Sequence, residues 1–204
     1  MSAAGSASSL RPQDEDNVPS GSHWKLLSHV TLLEIPGFDR LVYLSDAGVV
    51  LYPTTAQKLV IIQNAADVAH KLGIERPKVA IVAANKRVHP ARPTGVEALL
   101  LARMAREGWI AGAEVDGPLP LDVALYPRVA RMKGAPGPVA GEAEVLIVPN
   151  VEAGNIAAKA IQYIGRGALA GLVVGARVPI VLNSRADDAA TRLASVAMAA
   201  LVAS

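Results

Sequence analysis

Three short stretches of this 204-residue chain hold side chains at spacings that could do chemistry. In Pro149-Asn150-Val151-Glu152-Ala153-Gly154-Asn155 an apolar run passes into a helix start, and Lys159 falls four residues after Asn155, on the same face. Free N–H groups at a helix start, a glycine that admits close approach and a nearby ammonium together suit an anion such as phosphate. The same residues also fit a plain helix entry, with Asn150 as its cap and Lys159 in solvent. In Asn183-Ser184-Arg185-Ala186-Asp187-Asp188 a second strand end enters a helix. Ser184 and Asp187 fit a capping box, and Asp188 with Arg192 fits an i,i+4 ion pair, so those four have a structural use. Arg185 has none: a guanidinium at a helix start opposes the helix dipole and favours an anionic partner. The third stretch, Asp116-Gly117-Pro118-Leu119, could be a functional loop at a strand end or an ordinary turn.

Other chemistry finds little support. His23, His29, His70 and His89 have no spacing that suggests a metal site, and His70 is expected on a helix surface. No Gly-Lys-Ser/Thr phosphate loop, GxGxxG or GxSxG pattern occurs.

The elements that must position these stretches alternate. Leu26 to Ile35 and Leu41 to Leu44 favour strands, with turn chemistry at Pro36-Gly37-Phe38-Asp39 between them. Leu59, Ile62, Ala66 and Ala69 recur at helical spacing within Thr54 to Leu72, and Gly73 follows as a stop. Lys78 to Ala83 reads as a strand buried on both faces, followed by a helix over Thr94–Arg106. Another strand, Trp109 to Val115, is expected to leave the sheet at Gly117-Pro118. The second half repeats the pattern: helix Leu121–Met132, loop Gly134–Gly141, strand Glu144–Val148, helix Val151–Ile164, strands Leu169–Val174 and Pro179–Leu182, and a last helix from Ala186. Such alternation predicts an α/β fold with a mostly parallel sheet between helical layers. Ligands in these folds lie beyond the carboxyl ends of strands, here the loops after Val115, Val148 and Leu182.

Composition narrows the classes. Hydrophobic residues make up 51% and aromatics 3%, so the core is built of Ala, Val, Leu and Ile and offers no stacking platform. Twenty Lys+Arg against eighteen Asp+Glu leave +2, too near balance for a nucleic-acid or anionic-membrane surface. The absence of cysteine excludes disulfides and thiolate chemistry and agrees with a cytoplasmic location. Met1 to His23, rich in Ser, Ala and Gly with a polar run and no apolar segment, reads as a disordered tail. The longest apolar region, Ala168 to Leu182, is interrupted by Gly171, Gly175, Arg177 and Pro179, unlike a membrane span.

The blocks VDGPLPLDVAL, GEAEVLIVPNVEAGNIAAKAIQYI and GLVVGARVPIVLNSRADDAATRLAS, in this order and separation, resemble the signature segments of the phosphate acetyl- and butyryltransferases, nearest the butyryl type. The resemblance runs from about Leu26 to the C-terminus and includes LLSHVTLLEIPGFDRLVYLSDAGVVLYPT. It implies reversible conversion of acyl-CoA and inorganic phosphate into acyl phosphate and CoA, with no cofactor and no metal. It also implies a fold like that of the isocitrate and isopropylmalate dehydrogenases, two α/β domains around a cleft. On that template residues 1–23 are a tail, 24–182 the second domain and 183–204 a C-terminal helix belonging to a first domain otherwise largely missing.

The resemblance further assigns Ser184 to the developing oxyanion and Arg185 to phosphate. Asp116, Gly117, Gly154, Asn155 and Lys159 are expected to bind substrate, with Asp116, Asn155, Ser184 and Arg185 on one concave surface. In the acetyl branch an aspartate implicated as base lies seven residues after the serine, where this chain has Thr191. The base is therefore open, with Asp187 and Asp188 as candidates. Leu193, Val196, Ala197, Ala200 and Leu201 are expected to be exposed on the last helix, giving a homodimer or larger assembly, and turnover by this chain alone is expected to be low. A catalytically silent partner-binding domain is the alternative. A decarboxylating dehydrogenase fits less well, because its clustered metal-binding aspartates are not evident.

Overall fold

The computed structural model describes residues 26–204. Strand β1 (Ser28–Glu34) turns through Pro36-Gly37, where Gly37 takes φ 78°, into β2 (Val42–Ser45), and the two pair antiparallel as expected. Helix α1 (Thr55–Lys71) opens on a reciprocal cap: Thr54 accepts from the Gln57 N–H while the Gln57 side chain accepts from the Thr54 N–H. It ends at Gly73, whose φ of 95° suits a residue without Cβ. Next come β3 (Lys78–Val82), α2 (Pro93–Met104), a wider π-type turn over Ala105–Trp109, and β4 (Glu114–Leu119). The remaining elements are α3 (Leu121–Leu125), α4 (Pro127–Met132), β5 (Val145–Ile147), α5 (Val151–Lys159) continued by a π-type turn over Ala160–Ile164, β6 (Ala168–Val174) and α6 (Ala189–Ala203).

The six strands lie in the order β4-β3-β5-β2-β1-β6. The pairs among β4, β3, β5 and β2 are parallel, while β1 is antiparallel to both β2 and β6. One face carries α1, α2 and α6, around a core that includes Val30, Ile62, Ile81, Leu101, Leu172 and Met198. The other carries α3, α4 and α5 over Leu33, Leu44, Ala80, Val123, Leu146 and Ala158. The fold is thus α/β with a mostly parallel sheet, as the alternation of elements predicts. No helix among the described residues is long and apolar enough to cross a membrane.

Four local expectations are corrected. The chain does not leave the sheet at Gly117-Pro118; both residues lie within β4. That strand is at the edge, and its register against β3 shifts between Ala80 and Val82, so a proline that cannot donate to the ladder is accommodated. The helix read over Leu121–Met132 is two helices, because Pro127 holds Tyr126 at φ −113°, ψ 113°, outside the helical region. Pro179–Leu182 makes only an isolated bridge between Ile180 and Val173, beyond a reversal at Gly175 with φ 99°. The last helix starts at Ala189 rather than Ala186, because the Asp188 carboxylate accepts from the Thr191 N–H and makes Asp188 the cap.

One side of α6 packs into the core through Met198 and Ala199, and buried Ser195 accepts from the Gly171 N–H at 3.0 Å, covering the free edge of β6. The other side leaves Leu193, Val196, Ala197, Ala200 and Leu201 exposed, as the sequence predicts.

Candidate active site

A cavity of about 280 Å³ lies at the β6 edge of the sheet, on the α5 face. Its floor is His29 and Thr31 from β1 with Leu169 and Gly171 from β6. Asn155, Ala158 and Lys159 of α5 form one wall, and Leu182, Asn183, Ser184 and Asp187 form the other. Ala47 and Gly48, beyond the carboxyl end of β2, close one end. Two of the three stretches singled out from sequence therefore meet here, brought together by strands that are remote in the chain.

Each wall has a local cause. Asn150 caps α5 by accepting from the Ala153 N–H at 3.0 Å. Gly154 is buried, and a Cβ there would stand 2.8 Å from the Asp46 carbonyl oxygen and 2.9 Å from the Ala47 Cα. Its missing side chain lets α5 sit against the end of β2, which places Asn155 and Lys159 at the cavity. Gly154 itself is a packing residue and does not line it. Lys159 donates to the Gln162 Oε1 at 3.2 Å and lies 5.4 Å from the centre of the Tyr163 ring, so it is guided along α5 while still facing the cavity.

The opposite wall is a turn. The Asp187 Oδ2 accepts from the Ser184 N–H at 2.7 Å, and the Asp187 N–H donates to the Ser184 carbonyl at 3.1 Å. The Ser184 Oγ accepts from the Ala186 N–H at 3.4 Å rather than closing a capping box, because Asp188 has taken the helix start. The expected Asp188–Arg192 ion pair is replaced by backbone contacts: Arg192 donates to the carbonyls of Asp187 at 3.1 Å and Arg185 at 3.4 Å. Arg185 is exposed, next to Ser184 but outside the cavity wall. It precedes the cap by three positions, so a side chain at the helix start is not what it supplies. The backbone and hydroxyl hydrogen bonds from Thr191 hold the Asp188 carboxyl below its usual range. The Asp187 Oδ1 is sealed from solvent without a hydrogen-bond partner among the described residues.

Asp116 and Gly117 do not join this site. They belong to β4, at the opposite edge of the sheet from β6. Asp116 lines a separate open cleft with Glu75, Arg76, Arg106, Glu114 and Gly137, where its Oδ1 lies 3.8 Å from the Arg106 Nη1. Gly117 is buried, and a Cβ there would meet the Ile81 Cβ at 2.8 Å, so its use is close strand and helix packing. The expectation of a single surface shared by Asp116 and Ser184 fails because β4 pairs outside β3, four strands away from β1 in the order given above.

Two residues at the site escape sequence reasoning. Asp46, buried at the end of β2, accepts from the backbone N–H groups of His29 at 2.9 Å, Gly48 at 2.8 Å, Val49 at 2.9 Å and Val50 at 3.3 Å, which ties that loop to the start of β1. The run Ser45-Asp46-Ala47-Gly48 carries its local signal, an Asx-type turn ahead of a glycine. His29 alternates with buried Val30 along β1 and so faces the cavity side with Thr31, a period-2 signal that spacing among histidines alone does not show.

Comparison with known proteins assigns the family. A family profile described as Phosphate acetyl/butaryl transferase matches residues 3–200, so the match reaches further toward the N-terminus than Leu26. The phosphate butyryltransferase of Clostridium acetobutylicum is 43% identical over 179 residues, covering 88% of this chain and 60% of that protein. The phosphate acetyltransferase of Rhizobium meliloti is 42% identical over 200 residues, covering 98% of this chain and 60% of that protein. The chain thus spans about 60% of the length of these curated relatives. The crystal structure of a branched-chain phosphotransacylase from Enterococcus faecalis V583 superposes with a TM-score of 0.82 at 33% identity, over 89% of this chain and 66% of that one. With sequence and fold in agreement over nearly its whole length, the chain belongs to the phosphate acetyl/butaryl transferase family.

Proposed function

We propose that this chain carries an acyl-transfer site that interconverts acyl-CoA plus phosphate with acyl phosphate plus CoA. The observation that carries the reading is the convergence of Ser184, Asn155 and Lys159, from two remote segments, on one cavity. Its volume is near the low end for ligand sites, which suits phosphate and a short acyl group rather than the whole of CoA. The reaction passes through a tetrahedral oxyanion, and a preorganised donor at that oxygen lowers the barrier. On this reading the exposed Ser184 hydroxyl, which lines the cavity, donates there. Lys159 offers a positive charge to phosphate from the opposite wall, and the exposed guanidinium of Arg185 would reach over the rim to hold the same anion bidentately.

The same reading includes a cytoplasmic homo-oligomer. It is supported by the apolar side of α6, where Leu193 is 71% and Leu201 58% exposed, because contiguous apolar surface favours association. Sedimentation of the purified chain should give a dimer or larger species.

The direct test is release of CoA from butyryl-CoA by the purified chain. Release that requires phosphate and falls about 10²–10³-fold in kcat for Ser184→Ala is expected. No phosphate-dependent release, by the chain alone or mixed with the remaining part of a relative, would overturn the proposal and leave a silent domain.

A further inference from the structure

We infer that His29 is a further catalytic residue of this site, its Nε2 exchanging the proton of the CoA thiol during acyl transfer. The inference rests on the acyl-transfer reading above and supplies the base that the sequence leaves open between Asp187 and Asp188.

The cavity is shaped around this imidazole. Gly171 lies on β6 opposite Thr31, and a Cβ there would stand 2.8 Å from the His29 Nε2 and 3.2 Å from its Cε1. On the other side a Cβ at Gly48 would stand 3.3 Å from the His29 Cγ and Nδ1. Any other residue at either place would press on the ring, so two glycines from different segments leave a slot that the imidazole occupies. A glycine inside a strand weakens it, and this one makes room at a cavity floor.

The ring is also oriented. The Nδ1 lies 3.2 Å from the hydroxyl of Thr31, a residue only 2% exposed. With the proton on Nδ1 and donated to that hydroxyl, Nε2 is left as the acceptor, the form a general base needs. Nε2 has no hydrogen-bond partner among the described residues, and His29 lines the cavity that Ser184 and Lys159 share. The competing carboxylates are committed elsewhere. Asp188 caps α6, while Asp187 has one oxygen on the Ser184 N–H and the other sealed from solvent.

Charge around the ring is mixed. Asp46 faces it from the end of β2, Lys159 from α5 and Asp187 from the turn before α6, whereas β6 offers no titratable group. Burial pushes the imidazole below its ordinary value of 6.5, with Asp46 pulling partly back, which favours the neutral ring at neutral pH.

Nε2 takes the thiol proton, and the sulfur electron pair attacks the acyl carbon of the acyl phosphate. The tetrahedral adduct collapses by breaking the bond between that carbon and the phosphate oxygen, and phosphate leaves with the bonding pair. In the other direction phosphate attacks the thioester, the carbon–sulfur bond breaks, and the imidazolium returns its proton to the thiolate.

The test compares the 204-residue chain with His29→Gln, following thiolysis of butyryl phosphate by CoA between about pH 6 and pH 10. At neutral pH the variant should be slower by about 10²–10⁴-fold. The gap should close as pH rises past the thiol value of about 8.5, where CoA ionises without help. Gly171→Ala, which displaces the ring without removing it, should show the same pH-dependent loss if His29→Gln fails to fold. A loss of equal size at every pH means a structural role and overturns the inference, as does wild-type activity in a folded variant. If the unaltered chain gives no turnover at any pH, alone or mixed with the remaining part of a relative, the acyl-transfer reading fails for this chain and NMR decides the fate of His29. Added CoA should then shift the His29 Cε1–H signal but not those of His70 and His89, and an unmoved His29 signal ends the inference.

Discussion

At the β6 edge the sheet is cut back to glycine around an imidazole, and among the described residues the side chains of Ser184 and Lys159 answer only neighbours close in the chain, Ala186 and Gln162, and no opposite charge. At the β4 edge a larger and more open cleft is lined by charges that answer one another, Arg106 with Asp116 and Arg76 with Glu114. Volume and charge density would favour the second as a binding site. Commitment of the groups favours the first, because an ion already paired gains less from a ligand than a donor that must otherwise face water. Substrate specificity and rate should therefore respond to changes at the β6 edge, and stability to changes at the β4 edge.

The largest separation is expected in turnover. On the proposed acyl-transfer reading, in which Ser184 donates to the oxyanion, Ser184→Ala should lower kcat by about 10²–10³-fold. Asp116→Asn should leave steady-state rates within about twofold, less than 0.5 kcal/mol of transition-state stabilisation. A loss from Asp116→Asn as large as that from Ser184→Ala would mean that the two edges act as one site.

A pair of glycines sharpens the comparison, since an added Cβ would meet its nearest neighbour at 2.8 Å in both. At Gly117 that neighbour is the Ile81 Cβ, with the Ile81 carbonyl oxygen at 3.0 Å, neither of which can swing away. Gly117→Ala should cost about 1–3 kcal/mol in urea unfolding, as overpacked cores do. At Gly171 the obstacle is the far end of a side chain, so Gly171→Ala should cost about 1 kcal/mol or less while lowering activity more than Gly117→Ala. Reversed results would show that His29 is held for stability.

How much of this was legible in the chain depends on whether a feature is local. The capped start of α1, the buried run of β3 and the Asn150 cap of α5 follow from neighbours within one turn, and they form where periodicity and cap chemistry place them. The break at Tyr126 was also within reach, because a residue before proline is pushed out of the helical region. Strand β4 was not. Its proline is acceptable only at an edge, and sheet order is a tertiary fact that no window around Gly117-Pro118 contains. His29 was hidden for the same reason, since its slot is made by Gly48 and Gly171 from two other segments. Motif reading singled out Ser184, Asn155 and Lys159, which share one cavity, together with Asp116, which lies at the other edge, for a strand end says nothing about which edge its strand will occupy.

Acid should separate the two edges as well. The fold holds the His29 imidazole below its ordinary 6.5, so in that range the unfolded chain binds more protons than the folded one. Stability from keeping the ring neutral is complete above 6.5 and declines as pH falls below it. The urea midpoint of the wild-type chain should drop with acid in that window, and His29→Gln should flatten part of the slope. Substitutions at the β4 cleft should not, because no histidine stands in its wall. An unchanged slope in His29→Gln would place the ring in solvent.

The smallest effect is expected from the charges that make the β4 cleft look like a site. Arg106 is 59% and Arg76 70% exposed in the side chain, and their carboxylate partners lie at 3.8 Å and 3.4 Å, long for charge-assisted hydrogen bonds. Water and salt screen such pairs while ordering a long side chain costs entropy, so exposed pairs are worth only about 0.2–1 kcal/mol and often less. A double-mutant cycle on Arg106→Ala and Asp116→Ala should give a coupling at or below that range that fades on adding salt. A coupling well above it, or one that salt leaves unchanged, would mean that the pair is shielded from water. The β4 cleft would then be a closed and organised site, and the contrast between the two edges would fall.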